Sequence, residues 1–211
     1  MTRKKKIITV AAVSAAVLLV LAGYFFWLRP YLKANEVHIT EKIHLLKETA
    51  VPLRFKILPR NGAATVIAVK LFDLDNNIIE RFEADIADGS DIGFAFSDIE
   101  IDQKHIIFPV EMRFSSPKDS LCEIDLKQYY FKDGYPKIYA SSLIDTVLCE
   151  EIGKLSSLYI SGENEKMIQK RYHGVFKTIK QTLKQPTERT PYEMVIKRDG
   201  SIYFNRMTFA K

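Results

Sequence analysis

The sequence predicts an α+β protein with one N-terminal transmembrane helix, an antiparallel β-sandwich-like body, two C-terminal helices and a closing β-hairpin. Three observations carry this expectation. Ile7 to Leu28 is a run of 22 residues without a charge. From residue 36 to 140, short apolar runs with a period of two recur between turn formers, the pattern of a sandwich. After Ala140 the apolar spacing lengthens toward the helical period. The resulting division is a basic N-terminus (1–6), the membrane helix (7–28), a connector (29–35), a β-rich domain (36–140) and an α+β extension packed on it (141–211).

The anchor comes first. At 1.5 Å rise per residue, 22 residues make about 33 Å of helix, enough for a hydrocarbon core of about 30 Å. Tyr24, Phe25, Phe26, Trp27 and Tyr31 crowd its far end, where aromatic rings favour the headgroup layer; Trp27 and Tyr31 are the expected interface anchors. Pro30 ends the helix because it has no N–H to donate. Arg3, Lys4, Lys5 and Lys6 precede the span, against Arg29 and Lys33 after it. The more cationic flank stays in the cytoplasm, so the bulk of the chain is expected outside, in a bacterial inner membrane facing the periplasm. A cleaved signal peptide is the competing reading. Its apolar region is usually about 7–15 residues and ends in small residues, whereas this run is longer and ends in bulky rings.

Strands are expected at Val37–Leu46, Leu53–Leu58, Thr65–Phe72, Ile78–Ile86, Phe94–Ile101, Ile106–Phe114 and Leu121–Phe131. Glycine and asparagine that accept positive φ, and prolines that preset a turn, separate them. A first helix is expected from Leu143 to Ile152, capped by Ser141, Ser142 or Asp145 and closed by Gly153. A short strand follows at Leu155–Ile160. A second helix is expected over Glu163–Lys184, with Ile168, Tyr172, Val175, Ile179 and Leu183 as its apolar stripe. The last element is a hairpin, Glu193–Lys197 and Ile202–Met207, turning at Asp199-Gly200.

The net charge of +5 belongs to the anchor: residues 1–33 carry +6 and the remainder −1. That excludes a basic nucleic-acid-binding domain as the source of the high isoelectric point. Within the outer part, residues 34–162 carry −7 and residues 163–211 carry +6. Either the two halves complement each other, or Lys166, Lys170, Lys177, Lys180 and Lys184 form a basic helix that faces anionic lipid or an acidic partner.

Cys122 and Cys149 are the only cysteines. Outside the cytoplasm they can form a disulfide; as free thiols they pack like small hydrophobes. Asp73 to Asn77 lacks the glycine and glutamate of a calcium loop and reads as a turn. The four histidines are scattered, and His105 reads as a strand-edge residue. The tyrosines at 129, 130, 135 and 139 are either a recognition patch or half-buried rings of a strand. No phosphate loop, His-Glu-x-x-His or Gly-x-Ser-x-Gly motif occurs. No catalytic, cofactor or metal residue is therefore named. The expected role is a non-catalytic protein-interaction or envelope-assembly module, bound to lipid through its anchor and to a protein partner through its outer domain, without nucleic acid. A ligand-binding or sensory domain and an enzyme with an unrecognised site are the alternatives.

Overall fold

A computed structural model of the chain describes residues 17–29, 42–59, 64–87, 90–115, 122–160 and 165–207. Eleven strands are present among them: β1 (Thr49–Pro59), β2 (Ala64–Phe72), β3 (Ile78–Ala87), β4 (Asp91–Ile101), β5 (Lys104–Ser115), β6 (Cys122–Asp125), β7 (Phe131–Lys132), β8 (Tyr135–Pro136), β9 (Val175–Leu183), β10 (Pro191–Lys197) and β11 (Ile202–Arg206). Three α-helices accompany the strands from residue 42 onward: α1 (Lys127–Tyr130), α2 (Thr146–Ile160) and α3 (Glu165–Tyr172).

The strands form two main antiparallel sheets, a five-stranded one in the order β11-β10-β1-β2-β3 and a four-stranded one in the order β6-β5-β4-β9. Alternation decides which face of each is buried. Leu53, Phe55 and Ile57 of β1, Ile67, Val69 and Leu71 of β2, and Tyr192, Met194 and Ile196 of β10 turn inward from the first sheet. Ile92, Phe94 and Phe96 of β4, with Met112 and Phe114 of β5, meet them from the second. Aromatic rings join the two layers, with Phe94 5.9 Å from Phe55 and 4.8 Å from Phe204, and within the first sheet Phe55 stacks on its cross-strand partner Tyr192 at 5.3 Å. Such pairs contribute about 0.5–1.5 kcal/mol each beyond their buried area.

The other face of the four-stranded sheet is apolar at one end. Ile99, Ile101, Ile106 and Phe108 are buried there, in one core with Leu148, Ile152 and Leu155 of α2 and Ile168 and Tyr172 of α3. The chain enters β9 close against this layer. A Cβ on Gly174 would lie 2.9 Å from the carbonyl oxygen of Glu100 and 3.1 Å from Ile101 Cγ1.

β5 outruns its partner β6, which pairs only with residues 111–114. The rest of that edge is satisfied from loops and short elements. The Tyr139 hydroxyl accepts from the Ile107 amide at 2.9 Å and donates to the Ile107 carbonyl at 2.7 Å. Tyr130 donates to the Pro109 carbonyl at 2.9 Å, and the Leu126 amide donates to Val110 at 2.8 Å. Buried backbone groups need such partners. The tyrosine cluster is therefore structural at Tyr130 and Tyr139, which are buried, while Tyr129 stacks on Phe82 at 4.1 Å.

Several expected elements are corrected. Ile43–Leu45 is a single turn of 3-10 helix, not the end of a strand. The strand expected at Leu121–Phe131 stops at Asp125, whose carboxylate caps the Lys127 amide at 2.9 Å and starts α1. The strand expected at Leu155–Ile160 continues α2, because Leu148, Ile152 and Leu155 extend one buried helical stripe. Gly153 accordingly lies inside that helix. The second helix ends at Tyr172, and residues 175–183 are an edge strand of the four-stranded sheet.

The segment expected to be the anchor is described only in part. Residues 17–23 are α-helical and Tyr24–Leu28 continue as a π-helix, with Leu18, Leu19, Val20 and Phe26 exposed. Among the described residues no helix is long and apolar enough to cross a membrane. The first part of the span expected over Ile7–Leu28, and Tyr31, lie outside the described residues.

Candidate functional site

Two polar arrangements stand out from the framework. The first lies where the tip of the β10–β11 hairpin folds over one end of the four-stranded sheet. Glu100 of β4 pairs directly with His105 of β5 and with Val175 of β9, so this end gathers charge from three strands. His105 Nδ1 lies 2.9 Å from both carboxylate oxygens of Asp98. Lys177 Nζ donates to Glu100 at 2.9 Å. Burial pushes the Asp98 carboxyl above its ordinary value, against the opposing pull of His105. The Lys177 ammonium holds Glu100 below its ordinary value.

Arg198, in the hairpin turn, is 2% exposed. Its Nε donates to the Lys47 carbonyl at 3.0 Å and one terminal nitrogen donates to the His105 carbonyl at 2.8 Å. The guanidinium lies 5.2 Å from the Tyr139 ring centroid. Its backbone joins in, accepting from the His105 amide and donating to the Glu48 carbonyl, both at 3.0 Å. One side chain thus fastens the segment before β1, the start of β5 and the hairpin turn. Gly200 has φ +88° and packs on the imidazole, where a Cβ would stand 3.0 Å from Cε1. Only glycine accepts both the dihedral and the contact.

A histidine oriented by a buried carboxylate is half of a general-base apparatus. Among the described residues no hydroxyl or thiol is hydrogen-bonded to this imidazole. Ser97, next to Asp98, points to the opposite face of β4 by strand alternation. The arrangement clamps the end of the sandwich.

The second arrangement lies on the outer face of the five-stranded sheet. The pairing registers place Asn205, Glu193, Arg54, Lys70 and Arg81 in one row across all five strands. Lys56 lies one pleat further along β1. Directly opposed like charges destabilise a sheet by tenths of a kcal/mol to about 1 kcal/mol. Arg54 stacks on Phe72 at 4.6 Å, and its Nε sits 3.5 Å from Glu193, where it is buried without a hydrogen bond. Arg54, Lys56, Lys70 and Phe72 border a cleft of about 490 Å³.

The residues singled out from sequence are dispersed. Cys122 is an exposed free thiol on β6 and Cys149 a half-buried free thiol on α2, so the two are not joined. Cys149 borders a groove of about 580 Å³ with Tyr135 and Lys154. The basic helix is corrected: Lys166 and Lys170 lie on α3, Lys177 and Lys180 on β9, and Lys184 beyond it. Lys177 is ion-paired with Glu100 at 2.9 Å. Trp27 belongs to the helical N-terminal segment. The Asp73 carboxylate accepts from the amides of Asp75 and Asn77 at 2.9 and 2.7 Å, which makes it a turn. Among the described residues no group of three or more His, Cys, Asp or Glu side chains is placed to hold a metal ion.

Arg198 and the Arg54–Lys70–Arg81 row were not foreseen. A charged residue beside an Asp-Gly turn reads as exposed, so nothing local signals the burial of Arg198. Cations at alternate positions 54 and 56, and again at 70, were visible, but their alignment requires the strand registers. No family model, no curated protein and no solved structure matches the chain.

Proposed function

We propose that this chain is a single-pass membrane-tethered protein whose outer sandwich is a non-catalytic docking module for another protein, with the N-terminus in the cytoplasm. The observation that carries the reading is the edge strand β9, which among the described residues pairs with β4 alone over nine residues and offers its other edge to a partner. An exposed edge of that length is a template for strand addition. Val175 is half exposed on it, and Lys180 and Thr182 alternate toward solvent, which discourages unspecific pairing. The clamped Asp98–His105 pair supports a structural rather than a chemical role for the polar end. The tether rests on the uncharged 22-residue run and its flanking cations.

The test is a photo-crosslinking residue placed at Thr182 in the full chain, irradiated in intact cells. A discrete protein adduct that depends on the position, and is absent with the same group at Asp133 in the exposed β7–β8 turn, is the expected result. Equal, diffuse labelling from both positions contradicts edge docking.

A further inference from the structure

We propose that the cleft on the outer face of the five-stranded sheet binds the phosphate of an anionic phospholipid, with its apolar border against the lipid's glycerol and first methylenes. Strand register sets the placement of the cations. Arg54 and Lys70 are direct cross-strand partners, and Lys56 is two residues from Arg54 on the same face. Direct partners hold their Cβ atoms about 4.5–5.5 Å apart and diagonal neighbours about 7–8 Å, and all three cations line the one cleft. Spread along one strand, the same charges would suit an extended acidic peptide; clustered across two strands, they suit a single compact anion.

The acids of this face lie on its flanks, Glu193 on β10 and Glu83 and Asp85 on β3, and none lies on β1 or β2 between the cations. Among the described residues neither Lys56 nor Lys70 has an ion-pair partner. Arg54 is already oriented: Phe72 supports its plane on one side, and Glu193 lies 3.5 Å from its enclosed Nε, which makes no hydrogen bond. A planar guanidinium held in place matches phosphate geometry, and two lysines add charge without demanding geometry. The rest of the border is apolar, including Leu58, Phe72, Pro191 and Met207. That excludes a fully solvated ion as the best fit and favours a phosphate carried on an apolar body. A volume of about 490 Å³ accommodates a headgroup with its glycerol, not two acyl chains, which would remain in a bilayer.

The cleft stands on its own geometry, while the supply of lipid rests on the proposed tether. The experiment separates the two. The full chain in dodecyl maltoside is mixed with dioleoyl phosphatidylglycerol or dioleoyl phosphatidylcholine, and retained lipid is counted by native mass spectrometry. The wild-type chain is expected to retain phosphatidylglycerol preferentially. The double variant Lys56→Gln/Lys70→Gln is expected to lose that preference by at least about tenfold, since each cation near an anionic lipid is worth roughly fivefold. The variant's circular dichroism melt should match the wild type, because Lys70 is exposed and Lys56 half-buried without an ion pair. Substitution of Arg3, Lys4, Lys5 and Lys6 by Gln is expected to leave the retention in place.

Equal retention of both lipids, or loss of the preference only in the N-terminal variant, overturns the proposal. Displacement by millimolar glycerol 3-phosphate as readily as by short-chain phosphatidylglycerol also overturns it, in favour of a soluble phosphate. If the chain proves soluble without detergent, the tether fails, and the same comparison of lipids still decides the cleft.

Discussion

Replacing Arg198 by alanine should cost about 3 kcal/mol of folding stability. The figure follows from what the guanidinium touches. It donates to the carbonyls of Lys47 and His105 at 3.0 and 2.8 Å, and it packs on Tyr139 at 5.2 Å. A hydrogen bond from a charged donor contributes about 1.5–3 kcal/mol, and a desolvated cation–π contact up to about 2. Against these stands the desolvation of a buried cation that no carboxylate pairs with among the described residues, which truncation relieves. The second terminal nitrogen is itself buried without a hydrogen bond, so part of the gain is already forfeited. A net loss near 3 kcal/mol remains, and Arg198→Met, which keeps most of the volume, should lose about 2. Urea titration of the full chain in neutral detergent, followed by circular dichroism, measures both. Amide exchange supplies the location: protection of the His105 amide, which donates to the Arg198 carbonyl, should fall more than that of Phe55 in β1. A loss below about 1 kcal/mol for the alanine variant, or exchange that rises uniformly, would refute the claim that this side chain fastens three segments together.

Three further outcomes are expected. The Asp98 carboxyl sits above its ordinary value of 3.8, so the folded state binds an extra proton in the window above that value. Stability of the wild type relative to Asp98→Asn should therefore fall as pH rises from 3.8 through the raised pKa and then level off; a difference that grows with pH would reverse the sign. Asp75 behaves oppositely: the Ser142 amide, the Ser141 hydroxyl and the Lys47 ammonium hold its carboxyl far below its ordinary value. Its contribution is present above 3.8 and lost as pH falls below it, so Asp75→Asn should flatten the acid limb of an unfolding curve, and an unchanged limb would dismiss the tie between the β2–β3 turn and residues 141–142. Gly174→Ala should destabilise by about 2 kcal/mol in a thermal melt, because its Cβ meets a backbone carbonyl at 2.9 Å that cannot rotate away; a neutral effect would mean that the β9 entry is looser than described.

Much of the sandwich was legible because a half-buried strand alternates and its turns have their own chemistry. β2, β3, β4 and β5 fall where period two and Gly, Asn or Pro breaks placed them. The closing hairpin was the clearest case: Asp199-Gly200 turns the chain with Gly200 at φ +88°, and Ile196 faces Ile202. β9 was misread for a physical reason. Ile168, Tyr172, Val175, Ile179 and Leu183 satisfy a helical stripe, yet Ile179 and Leu183 also satisfy alternation. What decides between them is His173-Gly174, with His173 at φ +51°, and the β-branched Val175, Thr178, Ile179 and Thr182 that follow. The two polar arrangements were illegible at the level of the chain. Arg198 meets Lys47 across 151 positions, and the row from Asn205 to Arg81 spans five strands, so neither exists until the registers are set.

The tether and the outward display of the sandwich are tested together by one labelling experiment. Cys122 is exposed on β6, and Cys149 is half-buried on α2. Intact cells producing the full chain are treated with a small membrane-impermeant maleimide, lysed, and extracted with alkaline carbonate. The account predicts that the chain stays in the membrane pellet and that Cys122 carries the label before any permeabilisation. A chain released by carbonate, or a Cys122 that reacts only after the inner membrane is opened, would contradict it.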